Sequence, residues 1–296
     1  METRAYAVLA ALLLVAAGAA ALVYSMTAPH RSASRVTQPA ASTPSAGGLR
    51  SGTAPARLQE RLDRGGLIFL PKLAGGDCYR TRGLWVRHSD TTIESDGACL
   101  TVTGPGPVRL ESSDGDPIPA TAALFVAHGS PGAPQPQNVT IRGLHIHVAA
   151  AGLDGIDVYA EHVRIEDVTV DGSPLDDVYI GGRRNVAPYS SDVTVTGSTL
   201  LDARRNGISV TAAIAANVEW NTIARAGRSM GAAANPGDGI DVEPNRATDP
   251  IQQIRIAHNT IAYSERKGIE LTFGGGPPPS GAITIAANTI VGGAPS

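Results

Sequence analysis

Acidic and amide side chains recur in a short phrase that appears five times in the second half of the chain. The phrase reads Asp-Gly-Ile-Asp-Val at 154–158 and at 238–242, and related versions occupy 176–180, 206–210 and 267–271. Apolar and polar residues alternate in it, which is typical of a half-buried strand. Stacked in register, such strands would bring their polar side chains into columns with a spacing of about 4.8 Å. Carboxylates at that spacing suit the acid and base of a glycosidase, or a shared cation.

The alternation predicts two outward-facing columns, because the isoleucine and valine residues between them point inward. The first column comprises Asp154, Asp176, Asn206, Asp238 and Lys267. The second comprises Asp157, Tyr179, Ser209, Asp241 and Glu270, and it is continued two residues on by Tyr159, Thr211 and Glu243. Four longer segments, 181–191, 228–237, 243–252 and 273–281, lie on one half of the repeat and are expected to frame this face.

The acids that the turns do not need are our candidates for catalysis: Asp177, Asp241 and Glu243. Close like charges would raise the pKa of one carboxyl and make it a general acid. The candidates for substrate binding are Asp154, Asp157, Asp176, Tyr179, Arg205, Asn206, Asp238, Lys267 and Glu270. We expect no required cofactor. If a metal ion binds, we expect Ca²⁺ held by Asp154, Asp176 and Asp177. In the alternative interpretation, Asp-Gly and Asn-Gly are turn dipeptides, and the first column only closes corners.

A second, longer phrase must position these columns. It recurs at 138–146, 162–170, 192–200, 217–223, 253–261 and 282–290. A strict order of short strands at a repeat of roughly 20–50 residues predicts a solenoid. Asn221, Asn259 and Asn288 fall at one equivalent point of three repeats, so we expect their stacked amides to bond coil to coil.

Composition bounds the class of protein. The net charge of −3 excludes nucleic acid as a main partner, and the 4% aromatic content predicts a thin aliphatic core. Cys78 and Cys99 are 21 residues apart, about one turn of the repeat, so they could face each other across neighbouring coils. We expect a disulfide, which requires export to an oxidising compartment; two free buried thiols are the alternative.

The N-terminal part differs from the rest. Residues 1–28 contain a run of 20 residues without a charge, Ala5 to Tyr24, which is either a cleaved signal peptide or an uncleaved membrane anchor. Residues 29–53 form a linker rich in Ser, Pro and Ala. Residues 54–296 form the repeat domain, and a short helix at 55–63 is expected to cap its first coil.

The chain resembles the right-handed parallel β-helix proteins of the pectate-lyase-like superfamily. Two features carry the resemblance: the entry from Leu58 to Tyr79, with its helix, Gly-Gly, apolar strand and Leu-Pro, and the repeats from Asn138 onward. It covers about residues 54–293 and implies an all-β fold, a single-stranded right-handed parallel β-helix with an N-terminal capping helix.

A narrower resemblance is to polygalacturonase-type glycoside hydrolases. Asp154 and the pair Asp176-Asp177 match acids of that family's first two motifs. Asn206 stands where the family has histidine, and Asp241-Val-Glu243 stands where it has basic residues. The groups that would hold an anionic sugar are therefore lost or reversed. A lyase would need a basic residue near Ca²⁺, and its candidates are Arg204, Arg205, Arg266 and Lys267.

Two functions are consistent with these features. The first is a secreted or surface-anchored protein that binds a polysaccharide through an acidic groove on the solenoid and, if it is an enzyme, cleaves it as a glycoside hydrolase or a polysaccharide lyase. The second is a non-catalytic structural or adhesion module of the cell surface. In both cases we expect a glycan partner, a monomer, and membrane contact only through the N-terminal segment.

Overall fold

The computed structural model describes residues 54–106, 109–111, 117–119, 122–128, 133–182, 189–227, 237–274 and 281–292. The predicted signal or anchor (1–28) and linker (29–53) lie outside the described residues. Within the described part, no helix is both long and apolar enough to cross a membrane. The described chain contains one α-helix, α1 (Ala54–Leu62), a 3₁₀ turn at Ala74–Gly76 and twenty-six strands.

The strands wind into eight coils. In coils 1 to 7 the chain passes through a first, a second and a third parallel sheet, and coil 8 contributes strands to the first two. In that order the strands are Gly66–Leu70, Cys78–Thr81 and Leu84–Val86 (coil 1); Thr91–Ser95, Cys99–Val102 and Ala122–Ala127 (coil 2); Gln137–Arg142, His145–Val148 and Asp154–Tyr159 (coil 3); Glu161–Glu166, Thr169–Asp171 and Val178–Ile180 (coil 4); Ser190–Thr196, Thr199–Leu201 and Ile208–Val210 (coil 5); Ala213–Glu219, Thr222–Ala224 and Ile240–Val242 (coil 6); Ile251–Gln252 with Ile254–Ala257, Thr260–Ala262 and Ile269–Leu271 (coil 7); Ile283–Ala286 and Thr289–Val291 (coil 8). An antiparallel hairpin, Arg109–Glu111 with Pro117–Pro119, leaves coil 2. The predicted parallel β-helix is confirmed.

The core consists of aliphatic columns, as the alternation predicts. In the third sheet Ile156, Val178, Ile208 and Ile240 are register partners, and each side chain is fully buried. Valine and isoleucine suit this stacking because their branched side chains pack well on a pleated surface. Coils 1 to 7 therefore each bury their apolar side against the next coil, so the solenoid has a single continuous core.

Helix α1 caps coil 1, as expected. Leu58 and Leu62 are buried against the core. The Gln59 side chain donates to the Trp85 carbonyl at 3.0 Å and accepts from the Trp85 amide at 2.9 Å. These bonds satisfy backbone groups at the open edge of the third sheet, which would otherwise be free to pair with another chain.

The predicted asparagine ladder is confirmed at the corner between the first and second sheets. Asn221 donates to the Asn259 side-chain oxygen at 3.0 Å, and Asn259 donates to that of Asn288 at 2.9 Å. The residue before each of them, Trp220 or His258 in two of the coils, has a left-handed backbone conformation that turns the corner. The repeated sequence therefore encodes both the bend and the bonds that hold successive bends together.

The Cys78–Cys99 disulfide is also confirmed. The two residues are register partners in the second sheet, with Cα atoms 4.5 Å apart. The bond is compatible with a location outside the cytoplasm, where disulfides persist.

Replacing both cysteines by serine is expected to lower the free energy of unfolding by about 3 kcal/mol, because the bond closes a loop of some 20 residues in the unfolded chain. Urea titration would measure the loss. Wild-type protein kept in reductant is the control, since it should lose a similar amount. Equal stability of the oxidised wild type and the double variant would contradict the prediction.

Candidate functional site

The predicted site residues other than Asp177 lie along the third sheet, either in its strands or at the corners that flank them. Asp157, Tyr179, Ser209, Asp241 and Glu270 are register partners in successive coils, as predicted. The same column begins with Trp85 and Phe125, so its N-terminal end is aromatic and its C-terminal end is acidic. We call the side chains of Asp154, Asp157, Asp176, Asp238, Asp241 and Glu270 the acid cluster.

The first predicted column is a buried ladder and not an outward face. An oxygen of Asp154 accepts the backbone N–H of Asp176 at 2.7 Å, and an oxygen of Asp176 accepts that of Asn206 at 3.0 Å. Asn206 and Asp238 continue the pattern one coil on, at 2.9 and 2.8 Å. The outward prediction was wrong because these residues lie at the corner before the strand, where strict alternation does not apply. As the turn interpretation predicts, one side-chain oxygen of each ladder residue holds the corner of the next coil.

Burial and neighbouring charges shift the pKa values of the ladder carboxyls Asp154 and Asp176. Asp176 accepts from the Arg205 guanidinium at 3.1 Å, yet burial still raises the pKa of Asp176. Burial, reinforced by the charges of Asp157 and Asp176, raises the pKa of Asp154 well above its usual value. Asp157 therefore favours the protonated form of its neighbour Asp154. These acids are held close together because protonation relieves their repulsion.

Asp241 combines burial with an unused oxygen. Its side chain is 5% exposed, and one oxygen accepts from the Asn206 amide at 3.1 Å. The other oxygen is buried and has no hydrogen-bond partner. Burial, together with the charges of Glu243, Asp238 and Glu270, raises the pKa of Asp241 to about 7. The carboxyl therefore carries a proton in weakly acidic solution.

Glu270, one coil further on, has the opposite environment. Lys267 donates to it and Arg266 lies 3.7 Å away, and the Lys267 hydrogen bond lowers the pKa of Glu270. The charge of Glu270 also acts on Asp238, whose pKa is raised, mainly by burial, to about 6. Two neighbouring carboxyls, Asp241 and Glu270, are thus set to be neutral and ionised respectively at the same pH.

Tyr179 and Glu243 border the cluster. The Tyr179 hydroxyl accepts from Thr211 at 2.7 Å and from Asn245 at 3.0 Å, and burial raises the Tyr179 pKa. Glu243 is exposed and acts on Asp241 through its charge. Sequence reasoning missed Asn245 and the role of Arg266 as a partner of the acids. Asn245 lies in the segment 243–252, one of the four segments expected to frame the site. Much of the other three segments lies outside the described residues: 183–188, 228–236 and 275–280.

Asp177 does not belong to this face, which corrects its prediction as a catalytic residue. It occupies the position held by Gly155, Gly207 and Gly239 in other coils. A Cβ at Gly155 would point at the buried side chain of Val170, so the Asp177 side chain enters the interior. It is fully buried, and burial raises the pKa of Asp177 well above its usual value.

Asp177→Asn is expected to stabilise the protein increasingly as the pH rises. The folded pKa lies above the unfolded one, so ionisation penalises the fold once the pH exceeds the unfolded value of roughly 3.9. The wild type should lose up to about 1.4 kcal/mol per pH unit from this group until the folded pKa is reached. Urea titrations from pH 3 to pH 8 would show the two proteins similar at pH 3 and diverging above pH 4. If the free energies of unfolding of the two proteins differed by the same amount at every pH, the prediction would be contradicted.

The calcium prediction is not supported by the placement of its three ligands. Asp154 and Asp176 bind backbone amides and Arg205, while Asp177 points into the core. Across the part of the chain that the structure describes, no group of three or more His, Cys, Asp or Glu residues is arranged to hold a metal ion. The cluster's own cations, Arg205, Arg266 and Lys267, supply the compensating charge.

Comparison with known proteins identifies the architecture. A family model described as "Right handed beta helix region" matches residues 133–294. None of the curated proteins matches the chain.

Five solved chains match. One is a tailspike protein, gp49, of Acinetobacter baumannii bacteriophage Fri1, a capsular polysaccharide depolymerase (17% identity, TM-score 0.43, 81% of this chain and 45% of that one). The chain therefore spans about half of the tailspike's length. Others are an alginate lyase from Paenibacillus sp. str. FPU-7 (11%, TM-score 0.44, 80% and 95%) and the Streptococcus pneumoniae surface protein and adhesin PfbA (10%, TM-score 0.38, 83% and 96%). These similarities do not assign an activity.

Proposed function

Because the chain belongs to the family with a right-handed β-helix region, we propose that it binds a polysaccharide on the outer face of the third sheet and hydrolyses a glycosidic bond there. The acid cluster supplies the chemistry. Glycoside hydrolysis requires one carboxyl that is protonated and one carboxylate that is ionised at the same pH, on either side of the bond.

The observation that carries the proposal is the state of Asp241. Its pKa of about 7 keeps it protonated in weak acid, Asn206 fixes one oxygen, and the other oxygen has no partner. A buried polar atom without a partner costs about 1–3 kcal/mol, so its presence favours a ligand that completes it. We assign Asp241 as the general acid that protonates the leaving-group oxygen.

Glu270 is assigned as the second carboxylate. Its lowered pKa keeps it ionised where Asp241 is still neutral. The two residues are register partners, so their backbones are about 4.8 Å apart. The ionised group would either attack the anomeric carbon or activate a water. Glu243, Arg205 and Tyr179 border the cluster and are assigned to contacts with sugar hydroxyls.

Hydrolysis fits the cluster better than elimination. A lyase needs an uncharged basic group to remove a proton from the sugar ring. Arg205 is paired with Asp176, which raises its pKa against the effect of burial. Lys267 and Arg266 are paired with Glu270. The ion pair with Asp176 holds the Arg205 guanidinium in its charged form, so Arg205 is a poor base.

Export completes the proposal. The Cys78–Cys99 bond supports an oxidising compartment, where extracellular glycans would be the accessible substrates.

The test is reducing-end release from a panel of neutral and acidic polysaccharides, by the wild type and by Asp241→Asn. Release by the wild type that the variant lacks would support hydrolysis. A chain that neither binds nor cleaves any glycan would refute the proposal.

Adhesion without catalysis is the second candidate, and one observation favours it. Asp154, Asp176 and Asp238 each use an oxygen to hold the next turn, so part of the acidity is structural. Binding of a glycan by both proteins in the same test, without release by either, would select this function.

A further inference from the structure

The outer face of the first sheet carries a second set of groups that the acid cluster does not use. We propose that this face is a separate binding surface for an uncharged saccharide, with a polar pocket at the start of the strands and the Trp220 indole at their end. The proposal does not depend on the activity assigned to the third sheet.

The pocket lies across coils 3 to 5. It is a depression of about 280 Å³ lined by Asn138, Thr140, His162, Arg164, Asp192 and Thr194. His162 Nδ1 and Asp192 Oδ2 are joined by a hydrogen bond of 2.7 Å, which orients both side chains. All six lining residues carry hydrogen-bond donors or acceptors, so the pocket suits a ligand with many hydroxyl groups.

Trp220 provides an apolar surface at the corner where the first-sheet strand of coil 6 ends. Its indole stacks on His258 with ring centroids 4.2 Å apart and an interplanar angle of 7°. Although one side of the ring is covered in this way, Trp220 is still 62% exposed, so its other side is free. The negative face of an aromatic ring attracts the positively polarised C–H groups of a sugar ring.

The free side of Trp220 faces a gap in the corner column. The equivalent residue in the preceding coil is Gly197, which has no side chain, and the one before that is Asp167. A Cβ added to Gly197 would meet the Asp167 carboxylate, so that carboxylate reaches over the glycine. A sugar stacked on Trp220 would therefore meet the Asp167 carboxylate, a hydroxyl acceptor contributed from two coils away.

The charges of this face select an uncharged ligand. Each arginine of the first sheet's outer face in coils 3, 4 and 7 is paired with a glutamate, so its charge is already compensated. The pairs are Arg142–Glu94, Arg164–Glu166 and Arg255–Glu219. Asp167 and Asp192 add negative charge, which would repel a polyanion such as a polyuronate. The hydroxyl-rich pocket and the aromatic ring, by contrast, need no charge on the ligand.

The two parts are spaced for one extended ligand. Asp192 lies near the start of the coil 5 strand Ser190–Thr196 and Gly197 follows it, so the two residues are roughly 16 Å apart at about 3.3 Å per residue. Trp220 is one coil further along the axis. A short oligosaccharide could therefore fill the pocket and stack on the indole at once.

Intrinsic fluorescence of the full chain tests the proposal. The sequence has two tryptophans, and Trp85 is buried with its indole N–H bonded to Ala127. Trp220 therefore dominates the response to solvent. Titration with neutral gluco-, manno-, galacto- and xylo-oligosaccharides should shift the emission and protect it from acrylamide for at least one of them.

The variants copy residues that other coils already use, so folding is preserved. Trp220→Ala reproduces Ala287, and Asp192→Ala reproduces Ala215; all four residues have the same left-handed backbone conformation. Calorimetry should show affinity for the responding saccharide at least tenfold weaker for either variant. The matched control is Tyr263→Ala, since Tyr263 is 59% exposed and also left-handed but lies at another corner. Its affinity should be unchanged.

Three outcomes would overturn the proposal. They are no response to any neutral saccharide, binding only to a polyuronate with strong salt dependence, and equal loss of affinity in Tyr263→Ala and Trp220→Ala. Glu270→Gln separates the two sites: it should leave the Trp220 response intact even if the proposed hydrolysis fails or is lost.

Discussion

Asp241→Asn is expected to lower the rate of glycan hydrolysis by about 10²–10⁴-fold, the usual contribution of a general acid. The amide keeps an oxygen that can accept from Asn206, so the local structure should persist. Only the proton that Asp241 would donate to the leaving group is lost. Initial rates of reducing-end release, measured at a saturating and at a limiting substrate concentration, would give kcat and kcat/KM.

The pH profile of the wild type provides an independent check. Activity should fall as the pH rises through about 7, where Asp241 loses its proton. It should also fall at a pH below the usual glutamate value, where Glu270 becomes protonated, since the pKa of Glu270 is lowered. In Asp241→Asn the fall near pH 7 should be absent from the residual activity. A wild-type profile that is flat from pH 5 to pH 9 would contradict the assignment of Asp241.

The matched control is Asp202→Asn. Asp202 accepts from Arg225 at 2.7 and 2.6 Å at an exposed position directly after the second-sheet strand of coil 5, and it is not among the carboxyls that shift the pKa of Asp241. This variant should retain the wild-type rate and pH profile. An equal loss in both variants would indicate a general effect on folding, and hydrolysis by Asp241→Asn at the wild-type rate would remove Asp241 from the mechanism.

Asn259→Ala is expected to cost about 3–4 kcal/mol of unfolding free energy, because several buried groups lose partners at once. The side-chain oxygen of Asn259 accepts from the backbone and the side chain of Asn221 at 2.9 and 3.0 Å. Its amide donates to the Val218 carbonyl at 2.8 Å and to Asn288 at 2.9 Å. Asn259 is 1% exposed, so water cannot replace these bonds.

Asn288→Ala is the matched control for the ladder. It makes the same chemical change in coil 8, where the side chain is only part-buried. Water can reach its partners, so the loss should be no more than about half that of Asn259→Ala. Urea unfolding followed by circular dichroism would measure both. Losses that agree within about 0.5 kcal/mol would show that burial does not set the strength of the ladder.

The repeat could be predicted from the sequence because it is local. Each coil spans a few tens of residues, so the order of strands, the Cys78–Cys99 pairing and the Asn221–Asn259–Asn288 ladder follow once equivalent positions are stacked. The inward direction of Ile156 and Ile240 follows equally, because alternation holds within a regular strand. The same rule placed Asp157, Asp241 and Glu270 in one column.

The chemistry of the site was decided only by the tertiary structure. Asp177 and Asp241 are both acids beside a third-sheet strand, yet one lies at a corner and points into the core while the other lies in the strand and points out. The pKa of Asp241 is set by burial and by the charges of Glu243, Asp238 and Glu270. Alternation fixes a side chain's direction only inside a strand, whereas desolvation and charge depend on neighbours contributed by other coils, which no local pattern records.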